Sequence, residues 1–465
     1  MANRKLAPQA VSFWLETCGD DLSPRPRLKS DITADVAIMG GGFTGLWTAW
    51  FLLQHEPSLD IVIVERDFVG HGASGRNGGW VSPRYPVDAH AMIARFGADK
   101  ARATLLALED MVESIGTTLA EAGIDAHYRK TGLLTLARGE HQLPGLYATL
   151  RTFQRLGLAD DKRILSASEA FDRVHATKVH GGLASDGGAA VHPGRLVRGL
   201  ARALEARGVR IYEGTAVKSV RFGSDAGLET KGGFVSARRA VVTAGEAYLS
   251  GLSQFRRDLL PMSSMIILSE PLTPAQWEEI GWAAGESLSS PVHTKNYLTK
   301  TTDGRILYGS RGALYQYASA MPEDVVRDEA IFTKMRGEVR DWWPLLHGVR
   351  FTHSWGGYLG IPRDWVPSVW FDPDSRHARC EGYTGRGVAT SALSASLLAA
   401  QVLGKPSSLE GLPFHRPQAP RWEVEPFRYY GVRYVQNAFA RIDEAETAGE
   451  RLPFDAPLAS WLGEQ

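Results

Sequence analysis

The chain has 465 residues, 44% of them hydrophobic and 22% charged, with 52 lysines and arginines against 52 aspartates and glutamates. Its length exceeds what one hydrophobic core serves and points to two domains, while the even charge removes the electrostatic case for nucleic acid. No run of 18 apolar residues offers a transmembrane segment, and the two cysteines, Cys18 and Cys380, lie far apart and outside any metal-binding spacing. Neither a metal nor a disulfide framework is therefore expected, and a reducing, cytoplasmic setting is.

Residues 36–39 are a short apolar run suited to a buried strand. Gly40, Gly42 and Gly45 then supply G-x-G-x-x-G at the head of residues 43–54, a mostly apolar segment long enough for a helix packed on a sheet. Gly40 allows the tight turn and Gly42 lets backbone N–H groups approach a pyrophosphate. Gly45 brings helix and strand close, and the helix N-terminus faces the negative charge. Residues 61–64 form the second strand. Glu65 ends it 25 residues after Gly40, placed to accept hydrogen bonds from an adenosine ribose. Together these features predict a dinucleotide site, with a glycine-rich structural turn as the competing reading. The acid disfavours a cofactor with a 2′-phosphate and leaves FAD and NAD equally served.

Residues 67–83 carry five glycines among small polar residues, far richer in glycine than an ordinary connection. Such a stretch suits a loop wrapped around the middle of a long cofactor. Asn77, Gly78 and Gly79 are its candidate contacts; Arg76 reads either as a phosphate partner or as an ion pair, and Trp80 as cavity or core. Further along, residues 98–122 and 143–156 are helix-compatible and 130–137 strand-like. A periodic helix follows His192-Pro193-Gly194, and strands at 209–212 and 240–245 suggest a return to the nucleotide domain. Strand-like stretches at 265–269, 297–299 and 305–309 predict a second sheet. Residues 356–360 are glycine-rich. Gly382-Tyr383-Thr384-Gly385-Arg386-Gly387 opens a small-and-apolar helix over 388–402, by cofactor contact or simple capping, and an appendage follows with a helix around 435–447.

Gly40–Gly45, Gly72–Gly79, Asp303–Gly309, Trp355–Gly360 and Gly382–Gly387, in that order, resemble the D-amino acid oxidase and glycine oxidase superfamily of FAD-dependent amine oxidoreductases, nearest its gamma-glutamylputrescine oxidase branch. The resemblance implies a mixed α/β and α+β chain. A discontinuous Rossmann-like FAD domain is interleaved with a substrate domain on a mostly antiparallel sheet. The expected division is an N-terminal extension (1–34), FAD-binding segments 35–90, 171–255 and 346–405, substrate segments 91–170 and 256–345, and a C-terminal extension (406–465). The resemblance assigns Gly40, Gly42, Gly45 and Glu65 to the ADP half of FAD, Ser74, Asn77 and Gly78 to the pyrophosphate or flavin region, Val217 to adenine, and Gly385 and Gly387 to the flavin. A histidine usually stands between the last two glycines; Arg386 stands there here. No cysteine lies in the stretch where some relatives attach the flavin, so noncovalent FAD is expected.

The implied chemistry is hydride transfer from the carbon bearing nitrogen, with oxygen as the expected acceptor. The imine can hydrolyse to a carbonyl product. The alternatives are an amino-acid dehydrogenase that passes electrons to a quinone or carrier, and a non-catalytic flavin-binding redox protein. No nucleophilic triad is called for. Trp355, Tyr358 and Tyr308, with Tyr297, are the aromatic candidates for the substrate cavity, or else parts of the sheet interior. Arg305 and Arg311 are candidates for a carboxylate contact, or else for a structural ion pair.

Overall fold

The computed structural model describes residues 6–464; residues 1–5 of the expected N-terminal extension and residue 465 of the C-terminal one lie outside the described residues. The apolar run before the glycines becomes strand β1 (Ile32–Met39), whose last four residues are buried, as expected of a strand covered on both faces. Helix α1 (Phe43–His55) follows, apolar nearly all round and buried over most of its length. Then come β2 (Ile61–Val64), α2 (Pro193–Glu205), β3 (Arg210–Tyr212) and β4 (Phe234–Thr243). Side by side, β3, β2, β1 and β4 form a parallel sheet, joined beyond β4 by a further parallel strand from residues 377–381. Three antiparallel strands complete this eight-stranded layer.

The second eight-stranded sheet is antiparallel except for one parallel pairing, between Ser287–Ser289 and Leu133–Ala137. At its heart are β5 (Leu260–Ser269), β6 (Asn296–Lys300), β7 (Ile306–Ser310) and β8 (Phe351–Ile361). Alternation along β5 sorts the layers. Met265 and Ile267 join Tyr308 in a core closed by Phe332, Met335, Val339 and Trp342 of helix α3 (Glu329–Trp342). Ile266 and Leu268 face the other way, with Leu307 and Trp355, onto Phe13 and Trp14 of the N-terminal segment. The mixed architecture expected from the sequence is thus present.

The glycines at 356–360 are not a loop. They sit inside β8, an eleven-residue strand paired with β5 from Leu260↔Ile361 to Ser269↔Phe351. That strand belongs to the antiparallel sheet, although the expected segment 346–405 grouped it with the FAD domain. Its glycines mark close approach of other chain segments. A Cβ on Gly356 would come 2.9 Å from Val326, on Gly357 3.2 Å from Arg76, and on Gly360 3.0 Å from the Glu246 carboxyl carbon. Residues Gly181–Ser185, grouped with the FAD domain as part of 171–255, likewise pair in the antiparallel sheet. Toward the C-terminus come β9 (His377–Glu381), α4 (Gly387–Val402) and α5 (Phe427–Ala448), the last considerably longer than its periodicity suggests, and a short helix at Ala456–Glu464 follows. Among the described residues no helix is long and apolar enough to cross a membrane.

Candidate active site

A cleft of about 330 Å³ opens beyond the C-terminal ends of β1, β2 and β4, the edge at which open parallel sheets present their ligands. Gly40 turns the chain there with φ +112°, and a Cβ on it would strike the Ala244 carbonyl at 2.6 Å. Gly45 lies one turn into α1, where a Cβ would stand 2.1 Å from the Gly40 carbonyl oxygen; it permits the contact of helix and turn and does not itself line the cleft. Gly42 caps α1 without a side chain, and Ser74 Oγ accepts the Phe43 N–H at 2.8 Å in its place. Both line the cleft.

Glu65 closes the same end. Its carboxylate accepts the N–H groups of Gly41 at 2.8 Å and Asp67 at 2.9 Å, one on each oxygen, which leaves lone pairs for further donors. Burial pushes its carboxyl pKa up, against these two hydrogen bonds. A ribose diol would relieve that penalty. Val217, Asn77, Gly385 and Gly387 line the cleft as well. The Asn77 side chain is spent on its own loop: Nδ2 donates to the carbonyls of Ala73 and Ser74, and Oδ1 accepts the Gly79 N–H.

Other candidates fall elsewhere. Arg76 is buried and bound on all sides, donating to Glu323 and the Gly356 carbonyl at 2.8 Å each and to the His71 carbonyl at 2.8 Å. Its guanidinium ties the glycine loop to β8 and does not line the cleft, which fits the ion-pair reading of the sequence. Gly78 lies under Tyr297, where a Cβ would come 2.5 Å from the ring. Of the six residues proposed around the substrate, only Tyr358 lines the cleft; its hydroxyl donates to the Pro322 carbonyl at 2.7 Å. Trp355 is 1% exposed, packed among Ile266, Leu268 and Leu307, with Nε1–H donating to the Arg76 carbonyl at 2.9 Å. Tyr308 points to the opposite side of the sheet, into the α3 core, where its hydroxyl donates to Glu338 at 2.9 Å. Arg305 pairs with Asp303 and donates to the Ser269 carbonyl and Thr352, its guanidinium 5.1 Å from the Phe13 ring.

Several residues of the site carry no motif. Ser12 Oγ donates to the Gly75 carbonyl and Trp14 Nε1 to the Asn77 carbonyl at 2.7 Å, so the N-terminal segment clamps the glycine loop from outside. Glu246, at φ +47°, lines the cleft and accepts the N–H groups of Gly382 at 2.9 Å and Tyr383 at 3.3 Å. Burial pushes its pKa up to about 8. It anchors the glycine-rich entry to α4, and no motif in the sequence marks it. Tyr383 fills the floor of the cleft, its hydroxyl accepting from Thr44 at 3.0 Å.

A glycine-cradled cleft on a parallel sheet, walled by an antiparallel one, defines a two-domain nucleotide-binding protein. Residues 35–401 match the profile of the FAD dependent oxidoreductase family (DAO), and the chain belongs to that family. It is 28% identical to the gamma-glutamylputrescine oxidoreductase of Escherichia coli over 91% of this chain and 97% of that protein. It is 24% identical to the glycine oxidase of Geobacillus kaustophilus over 82% of this chain and 96% of that one. The crystal structure of the latter superposes with a TM-score of 0.66 at 22% identity, covering 83% of this chain and 99% of its own. An L-amino acid deaminase from Proteus vulgaris superposes with a TM-score of 0.65 at 21% identity, over 84% and 94%.

Proposed function

We propose that the protein holds FAD without a covalent link and oxidises a primary or secondary amine. The observation that carries the reading is the cleft itself. Gly40, Gly42 and Glu65 line it together with Gly385 and Gly387, in a chain that matches the family from residue 35 to 401. The site fits the cofactor on two counts. A Cβ at Gly42 would stand 2.9 Å from Ser74 Oγ, so the cradle exists only with glycine there. Glu65 keeps acceptor capacity for a ribose diol. Neither cysteine lines the cleft: Cys380 is buried with Sγ 3.1 Å from the Tyr383 hydroxyl, and Cys18 Sγ donates to the Leu15 carbonyl.

FAD supplies, when bound, the acceptor for a hydride from the carbon bearing nitrogen. The nitrogen lone pair closes the imine and the remaining N–H proton leaves to solvent. The chain's part is positional: α1 meets the phosphates with its N-terminus, the glycine loop is fixed from behind by Arg76 and Trp14, and Tyr358 walls the cleft. Strands Gly181–Ser185 and Phe351–Ile361 go with the substrate sheet in this reading, and the remaining segment boundaries stand as read from the sequence.

Anaerobic mixing with a panel of amines is expected to bleach the flavin spectrum, and a 2-hydroxy acid is expected to leave it unchanged. Reduction by hydroxy acids alone overturns the reaction class, and no reduction by any amine favours the non-catalytic reading. Reoxidation in air within the turnover time assigns oxygen as acceptor; slow reoxidation assigns a quinone or carrier. Acid precipitation is expected to release the flavin fully into the supernatant. Flavin retained on the denatured chain would refute the noncovalent site.

A further inference from the structure

Lys295 and Arg311 stand opposite each other, one residue beyond the paired ends of β6 and β7, where Asn296 pairs with Ser310. Arg386 lies between the two cleft-lining glycines at the head of α4, and Arg84 reaches the same locality from the end of the glycine-loop segment. The four cations act on one another: Lys295 feels Arg311, Arg386 and Arg84, and Arg386 feels Arg84 and Arg311. The place adjoins the cleft. Leu359, a cleft residue, touches the Cβ position of Gly385 at 3.3 Å, and it packs on the same cluster of Leu260, Ile361 and Trp422 as Trp365, over whose ring the Arg311 guanidinium stands at 5.6 Å.

No carboxylate among the described residues pairs with any of the four; the one side-chain hydrogen bond they make is from Arg84 to the neutral Thr135 hydroxyl at 3.1 Å. The acids nearest them are committed. Asp443 accepts from the backbone of His293 and Thr294 and from the Thr294 hydroxyl, and Asp88 caps its own helix at Ala91. The contrast with the rest of the chain is plain, since Arg76, Arg198, Arg379 and Arg428, the arginines buried in the core, each hold a carboxylate. Partial burial and the repulsion of Arg84 and Arg311 pull the pKa of Arg386 down to about 9. Lys295 is exposed and the other three are half-buried, so an incoming anion can reach all four, and guanidinium forks match the oxygens of a carboxylate or phosphonate.

We propose that the amine substrate carries a dianionic group, a phosphonate or a pair of carboxylates, seated on Arg84, Lys295, Arg311 and Arg386. The proposal rests on the amine-oxidoreductase reading above and deepens it. A single carboxylate leaves most of this charge uncompensated, whereas a dianion spans the Lys295–Arg311 pair and Arg386 together. The same cations favour the neutral form of a neighbouring amine, the form that can give up hydride.

The test uses the FAD-loaded protein under anaerobic conditions, with chain-matched amines ending in a phosphonate, two carboxylates, one carboxylate or a hydroxyl. A dianionic amine is expected to half-saturate flavin reduction at a concentration lower by about tenfold or more than the monocarboxylate, and the hydroxyl analogue to be weakest. Arg311→Gln and Arg386→Gln are each expected to shrink that preference to within about threefold. Methylphosphonate and malonate, which cannot react, are expected to perturb the flavin spectrum at lower concentration than acetate. Comparison of those two probes separates the phosphonate from the dicarboxylate. Equal use of neutral and dianionic amines overturns the proposal and leaves the amine reading intact. Absence of reduction by every amine, with the dianions still perturbing the flavin, sinks the amine reading and keeps the anion site. Equal binding of acetate and the dianions overturns the site itself.

Discussion

Gly42→Val is expected to give a folded protein purified without its yellow colour, with FAD affinity reduced by at least about 100-fold, on the order of 2.7 kcal/mol. The backbone at Gly42 is extended, with φ −92°, so it accepts a side chain without strain. The space beside it does not. The first added carbon would already stand 2.9 Å from Ser74 Oγ, which accepts the Phe43 N–H at the head of α1. The two methyls beyond it would enter the cleft where backbone must meet a pyrophosphate. Titration of the apoprotein with FAD, alongside its thermal unfolding, checks the outcome. Near-normal affinity in a stable variant would move the pyrophosphate elsewhere.

Trp355→Ala is expected to act on stability. The indole is enclosed by Ile266, Leu268 and Leu307 and meets Trp14 edge-on at 6.4 Å between centroids. Truncation leaves a cavity and orphans the Arg76 carbonyl, for a loss of about 3–5 kcal/mol. Because Arg76 and Trp14 both brace the glycine loop, weaker flavin retention is expected to follow. Denaturant unfolding of variant and parent measures the first effect directly. Unchanged stability with slower flavin reduction would return Trp355 to the substrate cavity.

The cofactor half was legible because its chemistry is local. Strand, glycines, helix and acid fall within the 34 residues from Ile32 to Glu65, and each acts on a neighbour in sequence. The substrate half was not, because alternation along a strand sorts residues onto two faces without saying which face is covered by what. Tyr308 was a sound aromatic candidate until α3 was seen to close over its side of the sheet. Trp355 faces the cofactor side, yet Phe13 and Trp14 occupy the space in front of it, from the far end of the chain. Arg305 had an acid two residues away in Asp303, a local clue to its structural role. The convergence of Arg84 with Lys295, Arg311 and Arg386 depends on four separate segments, and none carries a motif that names the others. The glycines of β8 were visible only as a glycine-rich stretch, since strands shed side chains where another segment presses on them and the pressing segments are distant in sequence.

The order of segments in the parallel sheet also sets a timetable for synthesis. β1 and β2 emerge early, but β1 has β4 as its other neighbour, and β4 in turn is paired with β9, 313 residues after β2. At ~5–20 residues per second the ribosome needs tens of seconds to cover that interval. The apolar strands Val36–Met39 and Ile61–Val64 have unfilled edges until β3 and β4 are made, β4 then waits for β9, and the glycine-rich entry to α4 comes later still. The nascent chain therefore cannot grip its flavin until the antiparallel sheet has been produced in full, which makes the unfinished parallel sheet a natural client for chaperones and makes flavin supply matter chiefly after translation.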